Sequence, residues 1–339
     1  MRAIRPARYR TIVLIAGISL AAIVLTGAAV RLTDAGLGCE NWPACSDERF
    51  VPEWEFHPWI EFGNRLISGV VALAVATAAL TAYRRYPRRG DLIRPAWGLV
   101  AGVAAQIVLG GITVRVDLHP SVVGIHFLVS MVLLWNAVVL WVRAGSGAGE
   151  AVPVTDDNRL AGVALPVSVT AHGRVVVVLA TAVLVTGTLV TGTGPNSGDS
   201  RAERLTFDLT DIARVHSATV WCFLVVAVAL VLRARRSAGP SGPARVGFVT
   251  GRWLIATAVV QGAVGYAQFA VGVPPALVAV HVAGAVAVWC LSILLHLRLF
   301  ERPPPDQLAE GTDPGSGLER SIRTANEMNL PQVLDTMGT

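Results

Sequence analysis

The sequence predicts an all-α integral membrane protein whose eight transmembrane helices form two pseudo-twofold-related four-helix bundles. Three observations lead to this fold class. Of the 339 residues, 53% are hydrophobic and only 15% are charged, whereas an average soluble domain is about one-quarter charged. Eight apolar runs reach the roughly 20 residues that cross a hydrocarbon core, and the second half of the chain repeats part of the first.

The apolar runs are spread along the chain as far as residue 299. The first run could be mistaken for a signal peptide because basic residues precede it, but it is long and no A-x-A cleavage site follows it. We therefore interpret it as a membrane helix. The predicted spans cover residues 11–30, 58–82, 94–115, 121–142, 173–193, 210–232, 252–271 and 275–299.

Arginine clusters predict the orientation, because short cytoplasmic loops carry an excess of basic residues. All clusters lie on one side of the membrane if both termini are cytoplasmic. The isoelectric point near 9.5 then follows from topology, and no basic patch interleaved with aromatic residues indicates a nucleic acid partner. We expect a multi-pass protein surrounded by the lipid of a bacterial plasma membrane. The clusters comprise Arg2, Arg5, Arg8, Arg10, Arg84, Arg85, Arg88, Arg89, Arg94, Arg233, Arg235, Arg236, Arg245 and Arg252.

Four segments follow from these spans. Residues 1–143 form the N-terminal four-helix bundle, 144–172 a cytoplasmic linker, and 173–300 the C-terminal four-helix bundle. Residues 301–339 are rich in proline, glycine and acidic residues, a composition typical of a disordered cytoplasmic tail.

The loop between spans one and two, residues 31–57, is acidic and faces outward in this topology. It contains Cys39 and Cys45. Thiols outside the cytoplasm tend to oxidise, and a pair this close can close a small ring, so we predict a disulfide. The spacing does not distinguish a structural role from a redox role, and both stay open.

An internal repeat relates two pairs of spans. Gln106 and His126 are separated by the same interval as Gln261 and His281. Spans three and four therefore duplicate spans seven and eight. Because each half has an even number of spans, the repeat is parallel, with its axis along the membrane normal.

The repeat also matches four positions at one depth. Aligning "IEFGNRLISG" with "IARVHSATVW" pairs Asn64 with His216, while His126 pairs with His281. Each of the four lies about two turns, roughly 8 to 9 Å, from the outer end of its span. A lone histidine in a membrane helix more often makes a packing hydrogen bond than binds a cofactor. Two histidines at matched depth indicate a cofactor site instead.

His216 and His281 could meet across the centre of one four-helix unit, where bundles build cofactor sites. Neutral imidazole ligates haem iron, and small neighbouring residues leave room for a flat macrocycle. A structural zinc usually takes four ligands, and only two histidines are evident in this half. Haem is therefore the preferred ligand. The remaining histidines lie at helix ends or in loops and are interpreted as interfacial (His172, His296) or solvated (His57, His119), with contact to a haem propionate as the alternative for His57 and His119.

The outer motif "GLGCENWPAC", the motif "EFGNR" at the start of span two, and the histidines at 126, 216 and 281 together resemble haem A synthase, over roughly residues 10–300. This membrane enzyme oxidises a methyl group of haem O to the formyl group of haem A for cytochrome oxidase assembly. The resemblance implies haem b as cofactor, with His216 and His281 as axial iron ligands, and haem O as substrate in the N-terminal half. It also implies haem O synthase and an unidentified electron-transfer protein as partners.

One position departs from this family, which commonly has histidine where Asn64 stands. An amide oxygen is a poorer ligand for haem iron than imidazole, so we expect His126 to bind the substrate iron alone. By the resemblance, Glu61 is the candidate catalytic residue, accepting a proton or stabilising positive charge, and Arg65 pairs with a propionate. The alternative for Glu61 and Arg65 is an interfacial ion pair at a helix end.

Two other functions are compatible with parts of the pattern. A bis-histidine membrane cytochrome b in electron transfer would place haem ligands at two depths, whereas all the candidates here lie toward the outer side. A transporter can also contain parallel repeats, but no broken helix is evident at mid-membrane.

Overall fold

The computed structural model describes residues 3–145, 167–197, 202–236 and 243–300. The predicted cytoplasmic tail and most of the predicted linker lie outside these residues. The domain boundaries therefore stay predictions.

Within the described residues there are eight helices long and apolar enough to cross a membrane, and no β-strand. This confirms the all-α class, the eight predicted spans and the prediction of a multi-pass membrane protein. The helices are α1 (Pro6–Leu32), α2 (Phe56–Ala82), α3 (Ile93–Arg115), α4 (Pro120–Gly145), α5 (Val167–Thr193), α6 (Leu209–Arg236), α7 (Pro243–Ala270) and α8 (Pro275–Phe300), with a 3₁₀ turn at Gly90–Leu92 before α3.

Local sequence explains where several helices begin and which surface they expose. Four helices begin at proline, which lacks an amide hydrogen and has a backbone angle suited to the first helical position. Large apolar side chains cover the outer surface; Val70 and Leu73 of α2, for example, are 62% and 69% exposed. Such a surface is compatible with lipid, in which a helix satisfies its own backbone hydrogen bonds.

The helices pack in two rings. In the first half α1 contacts α2 and α4, and α3 contacts the same two helices; in the second half α5 contacts α6 and α8, and α7 contacts the same two. Helices α2 and α4 are therefore diagonal neighbours, as are α6 and α8. Contacts of α8 with α1 and α4, and of α4 with α5, join the two rings. The pseudo-twofold axis relating the rings stays a prediction.

The junction between the rings contains a buried hydrogen bond. The Trp289 indole on α8 donates to the Met131 carbonyl on α4 at 2.8 Å. The Trp289 ring also lies 5.8 Å from the Trp135 ring. Elsewhere on α4, a Cβ on Gly124 would lie 2.7 Å from the Thr188 methyl group on α5. Gly124 therefore permits the close approach of α4 and α5, and so of the two four-helix rings.

The repeat is visible in the connections α3–α4 and α7–α8. The Leu118 amide donates to the Thr113 carbonyl at 2.9 Å, and the Val273 amide donates to the Gln268 carbonyl at 2.7 Å. Leu118 and Val273 share a left-handed backbone, with φ of 56° and 60°. Thr113 matches Gln268, and Leu118 matches Val273, by the same sequence interval that separates Gln106 from Gln261. The repeated sequence therefore adopts a repeated local geometry.

Replacing Trp289 with phenylalanine should destabilise the protein, because the buried donor to Met131 is lost and part of the ring-junction packing with it. We expect a loss of about 1 to 2 kcal/mol, measured by thermal unfolding in detergent. Trp253, which is 65% exposed, provides the matched control, since Trp253→Phe should leave the transition unchanged. Equal transitions for both variants would show that the indole bond contributes nothing.

Candidate functional site

A cavity of about 1270 Å³ lies within the two rings and is lined by residues of both halves. Asn64, His126, His216 and His281 all contribute to its wall. Each stands six to eight residues after the first residue of its helix. Since α2 is diagonal to α4 and α6 to α8, the structure places each predicted pair on opposite sides of its ring.

Glycine faces both histidines of the C-terminal half. A Cβ on Gly187 of α5 would lie 3.0 Å from Cε1 of His216, and a Cβ on Gly265 of α7 would lie 3.0 Å from Cε1 of His281. Such contacts are tighter than ordinary van der Waals packing. The absence of a side chain on the neighbouring helix therefore lets each imidazole pack closely against that helix.

The N-terminal half repeats this arrangement more loosely. A Cβ on Gly110 of α3 would lie 3.7 Å from Cε1 of His126, and one on Gly27 of α1 would lie 3.9 Å from Nδ2 of Asn64. These are ordinary packing distances. The N-terminal site accordingly leaves its two side chains more room than the C-terminal site does.

A threonine of the preceding helix contacts the site residue on α2 and the one on α6: Thr26 contacts Asn64, and Thr186 contacts His216. The Thr186 hydroxyl lies 3.0 Å from Nδ1 of His216 and 2.9 Å from the Ala182 carbonyl. If it donates to the carbonyl, it accepts the Nδ1 hydrogen, and the Nε2 lone pair of His216 is left for a ligand. The matched hydroxyl, that of Thr26, donates to Oδ1 of Asn64 at 2.8 Å.

Glutamine anchors the other two positions through their backbone. Nε2 of Gln106 donates to the His126 carbonyl at 2.9 Å, and Nε2 of Gln261 donates to the His281 carbonyl. Nδ1 of His126 and Nδ1 of His281 are buried and have no hydrogen-bond partner. The main chain at each histidine is therefore fixed, while neither buried Nδ1 atom is held by a partner among the described residues.

Glu61 joins the start of α2 to the outer loop. Its side chain is buried, at 5% exposure. The Cys39 amide donates to Oε2 at 2.8 Å, and Oε1 forms an ion pair with Arg65 one turn further along α2. Both Glu61 and Arg65 also line the cavity. The ion pair that the sequence suggested as the alternative role of Glu61 and Arg65 is thus present, and it lies at the cavity wall.

Arg65 and the disulfide fix the shape of the loop. Cys39 and Cys45 form the predicted disulfide. Nη1 of Arg65 donates to the carbonyls of three residues enclosed by this ring, at 2.9, 3.2 and 3.1 Å. The resulting segment is held onto α2 by charge-assisted hydrogen bonds. The three carbonyls belong to Asn41, Pro43 and Ala44.

Two glycines allow the loop to press against the helices. A Cβ on Gly38 would lie 2.7 to 2.8 Å from the backbone of His57 and Pro58, and backbone cannot yield as a side chain can. A Cβ on Gly111 of α3 would lie 2.8 Å from the Trp42 indole. Trp42 also lines the cavity, so the disulfide loop forms part of the outer wall of the site.

The ion pair of Glu61 with Arg65 has no counterpart at the matched positions of the other half. The alignment that pairs Asn64 with His216 places Ala213 opposite Glu61 and Ser217 opposite Arg65. Two similar scaffolds therefore carry different chemistry. The N-terminal cavity has an ion pair on its wall, whereas uncharged residues stand at the matched positions of the C-terminal cavity.

Sequence analysis missed Arg31, which lies in the last turn of α1 and lines the cavity. Its Nε atom is buried without a hydrogen-bond partner. A signal was present, because this arginine stands at the end of its span opposite to the basic clusters. A basic residue on the predicted outer side departs from the topology rule and calls for a separate explanation.

The four histidines interpreted as peripheral do not line the cavity. Nε2 of His119 is 3.7 Å from Oε2 of Glu203, and Arg233 donates to the His172 ring. Among the described residues no group of three or more His, Cys, Asp or Glu could hold a metal ion. The ligand roles predicted for His126, His216 and His281 remain predictions.

Replacing Arg65 with methionine should loosen the outer loop, because three loop carbonyls lose their donor. We expect cleavage by a glutamate-specific protease within residues 40–55 to become roughly 5- to 30-fold faster, which corresponds to one or two kcal/mol of lost local stability. Arg49→Met is the control, since Arg49 forms an ion pair with Glu53 on the exposed surface. An unchanged cleavage rate in Arg65→Met would contradict the clamping role.

Comparison with known proteins gives a consistent family. The family model COX15-CtaA, described as cytochrome oxidase assembly protein, matches residues 10–55 and 50–196. The chain is 36% identical over 146 residues to a heme A synthase of Geobacillus kaustophilus, covering 39% of this chain and 45% of that protein. It is 34% identical over 141 residues to the heme A synthase of Geobacillus thermodenitrificans, covering 39% and 44%. The matched region thus spans less than half the length of these relatives.

Proposed function

The chain belongs to the COX15-CtaA family of cytochrome oxidase assembly proteins, and from this premise we propose that it is a haem A synthase. In this proposal it is an oxidoreductase that converts a methyl group of haem O into the formyl group of haem A. The observation that carries the proposal is the buried Glu61 on the cavity wall of the ring that contains His126. At the matched position the second ring has Ala213, which has no acid–base chemistry.

The residues present fit a haem in each half. A haem needs an imidazole nitrogen free to ligate its iron and a flat space beside it. The glycines beside the imidazoles leave space, and His126 and His281 line the cavity with imidazoles to which no described residue hydrogen-bonds. A bound haem b would supply one-electron redox chemistry.

We assign this resident haem b to His216 and His281. They lie on diagonal helices of the same ring, and the hydroxyl of Thr186 orients the His216 ring. The tight glycine contacts restrict the rotation of the two imidazoles. Restricted imidazoles favour a permanently bound cofactor. Uncharged residues at the positions matched to Glu61 and Arg65 are compatible with an electron-transfer role.

The N-terminal ring is assigned to the substrate. His126 would hold the haem O iron. The amide oxygen of Asn64 already accepts a hydrogen bond from Thr26. The looser packing around these two positions suits a ligand that must enter and leave. Glu61 and Arg65 lie on the same wall, where Glu61 can take up protons and its negative charge can stabilise positive charge on the reacting carbon. Pairing of Arg65 with a propionate stays part of the proposal.

The overall reaction determines how many protons and electrons the protein must remove from the substrate. With water as the oxygen source, converting a methyl to a formyl group releases four protons and four electrons. The protons leave through acceptors at the site, of which Glu61 is the buried candidate. The electrons go to an acceptor, which we propose to be an electron-transfer protein, and haem O would be delivered by haem O synthase. We also propose cytoplasmic termini and a location in the cell membrane.

Electron transfer alone is less well supported. A relay across the bilayer needs haem ligands near both surfaces, yet all four matched positions are six to eight residues from the start of their helices. These helix starts lie at the same end of the molecule as the disulfide loop. The ion pair of Glu61 with Arg65, which is replaced by Ala213 and Ser217 at the matched positions, further favours an enzyme.

The experiment that tests the proposed function compares two variants co-expressed with a source of haem O. Glu61→Ala should keep the tightly bound haem b, because Glu61 lies in the other ring, and should lower haem A yield at least 100-fold. His281→Ala should instead lose most of the tightly bound haem. Both are measured by extracting and chromatographing the haems of the purified protein. Normal haem A production by Glu61→Ala would contradict a catalytic role and leave Glu61 with a structural role.

Asn64 generates a spectroscopic prediction. If His126 is the only strong protein ligand in the N-terminal ring, bound ferric haem O should be high-spin, whereas the His216 and His281 pair should hold its haem low-spin. The electron paramagnetic resonance spectrum of protein loaded with both haems should therefore contain both signals. Asn64→His should convert the high-spin signal to low-spin by adding an imidazole. A wholly low-spin spectrum of the unaltered protein would show that another residue reaches the iron.

A further inference from the structure

Arg31 presents a cation to the cavity without a protein partner. It lies in the last turn of α1 on the cavity wall. Its Nε atom is buried, and no residue in the described part of the chain forms an ion pair or side-chain hydrogen bond with its guanidinium. Burying charge without a partner is costly. A position in the last helical turn favours a positive charge through the helix dipole, but does not explain why the side chain faces a cavity.

The other two cavity-lining arginines are already engaged. Arg65 bonds to Glu61 and to three carbonyls of the disulfide loop. Arg214 forms an ion pair with Asp211 at 3.0 Å and is 75% exposed. Arg31 therefore has the largest unused capacity to bind an anion. Its planar guanidinium suits a carboxylate, with which it can form two parallel hydrogen bonds.

The level of Arg31 relative to the iron-ligand positions matches a ligand with carboxylates at one edge. Thr26, five residues earlier on α1, bonds to Asn64 and so marks the level of the predicted iron ligands. Five residues correspond to about 7.5 Å along a helix. Arg31 thus lies about that far toward the outer end, and haem O carries both of its carboxylates on one edge of the macrocycle.

The position is specific to the N-terminal half. Aligning "LTGAAVRLTDAGLG" with "VTGTLVTGTGPNSG" pairs Thr26 with Thr186, which make equivalent contacts to Asn64 and His216. The same alignment pairs Arg31 with Thr191, which has no charge. An anion-binding group is therefore present in the proposed substrate ring and replaced at the matched position of the proposed haem b ring.

We propose that Arg31 binds a propionate carboxylate of haem O and thereby orients the substrate in the N-terminal cavity. This inference rests on the proposed function. By holding the carboxylate edge outward, Arg31 would fix which part of the macrocycle faces Glu61. It is a substrate-binding residue that acts before any chemistry, so its effect is measurable as affinity.

The test titrates purified protein with haem O and with haem O dimethyl ester, whose carboxylates are blocked, and follows binding by absorption. The unaltered protein should bind the ester roughly 10- to 100-fold more weakly, because charged hydrogen bonds are lost. Arg31→Met should bind haem O more weakly than the unaltered protein does and should lose most of its preference over the ester, the remainder belonging to the propionate assigned to Arg65 in the proposed function. Arg31→Lys should recover part of the preference. The control, Arg214→Met, removes a cavity-lining arginine that already has a partner and should keep the full preference.

Each outcome has a distinct meaning. A full preference for the free acid in Arg31→Met would overturn the inference, assign the carboxylate to another group such as Arg65, and leave the proposed function standing. Equal affinity of the unaltered protein for acid and ester would overturn the inference without any variant, even if Arg31→Met failed to fold. No binding of haem O by the unaltered protein would contradict the proposed function itself.

Discussion

A polar or charged side chain within an apolar helix bundle must find a partner or face a cavity, and the outer part of this protein is arranged by that requirement. Glu61 is buried beside apolar helices, yet it accepts the Cys39 amide hydrogen and pairs with Arg65. Arg65 in turn binds the carbonyls of the disulfide loop. The loop is thus held by the same residues that line the cavity, so its structure and the site's chemistry depend on one set of contacts.

The repeat places different side chains on matched helix scaffolds. Threonine and glycine from α1 contact Asn64, and their counterparts on α5 contact His216 in the same manner. The scaffold contacts are retained while the ligand type and neighbouring charges differ. The matched threonine and glycine contacts are thus compatible with either an amide or an imidazole at this position of the wall. This separation of scaffold contacts from ligand type supports a permanent cofactor in one ring and a substrate in the other.

Glycine has a particular importance in this separation. At Gly187 and Gly265 an added methyl group would press on an imidazole ring, whereas at Gly110 it would make only an ordinary contact. The C-terminal histidines are therefore more restricted than His126. A restricted ligand favours tight, lasting coordination, and a less restricted one allows a ligand to exchange. The contrast follows from contact distances of 3.0 Å at Gly187 and Gly265 and 3.7 Å at Gly110, which sequence comparison alone does not report.

The sequence by itself determined the all-α membrane fold, the eight spans, the disulfide and the matched histidine positions, because hydrophobic length and repeat spacing are local properties of the chain. Only the tertiary structure decided which groups the polar residues contact. It joined Glu61 to the Cys39 amide, engaged Arg65 with the loop, and left Arg31 open to the cavity. These contacts unite residues from different helices and loops. Whether a charge is paired depends on that three-dimensional neighbourhood, which no local pattern specifies.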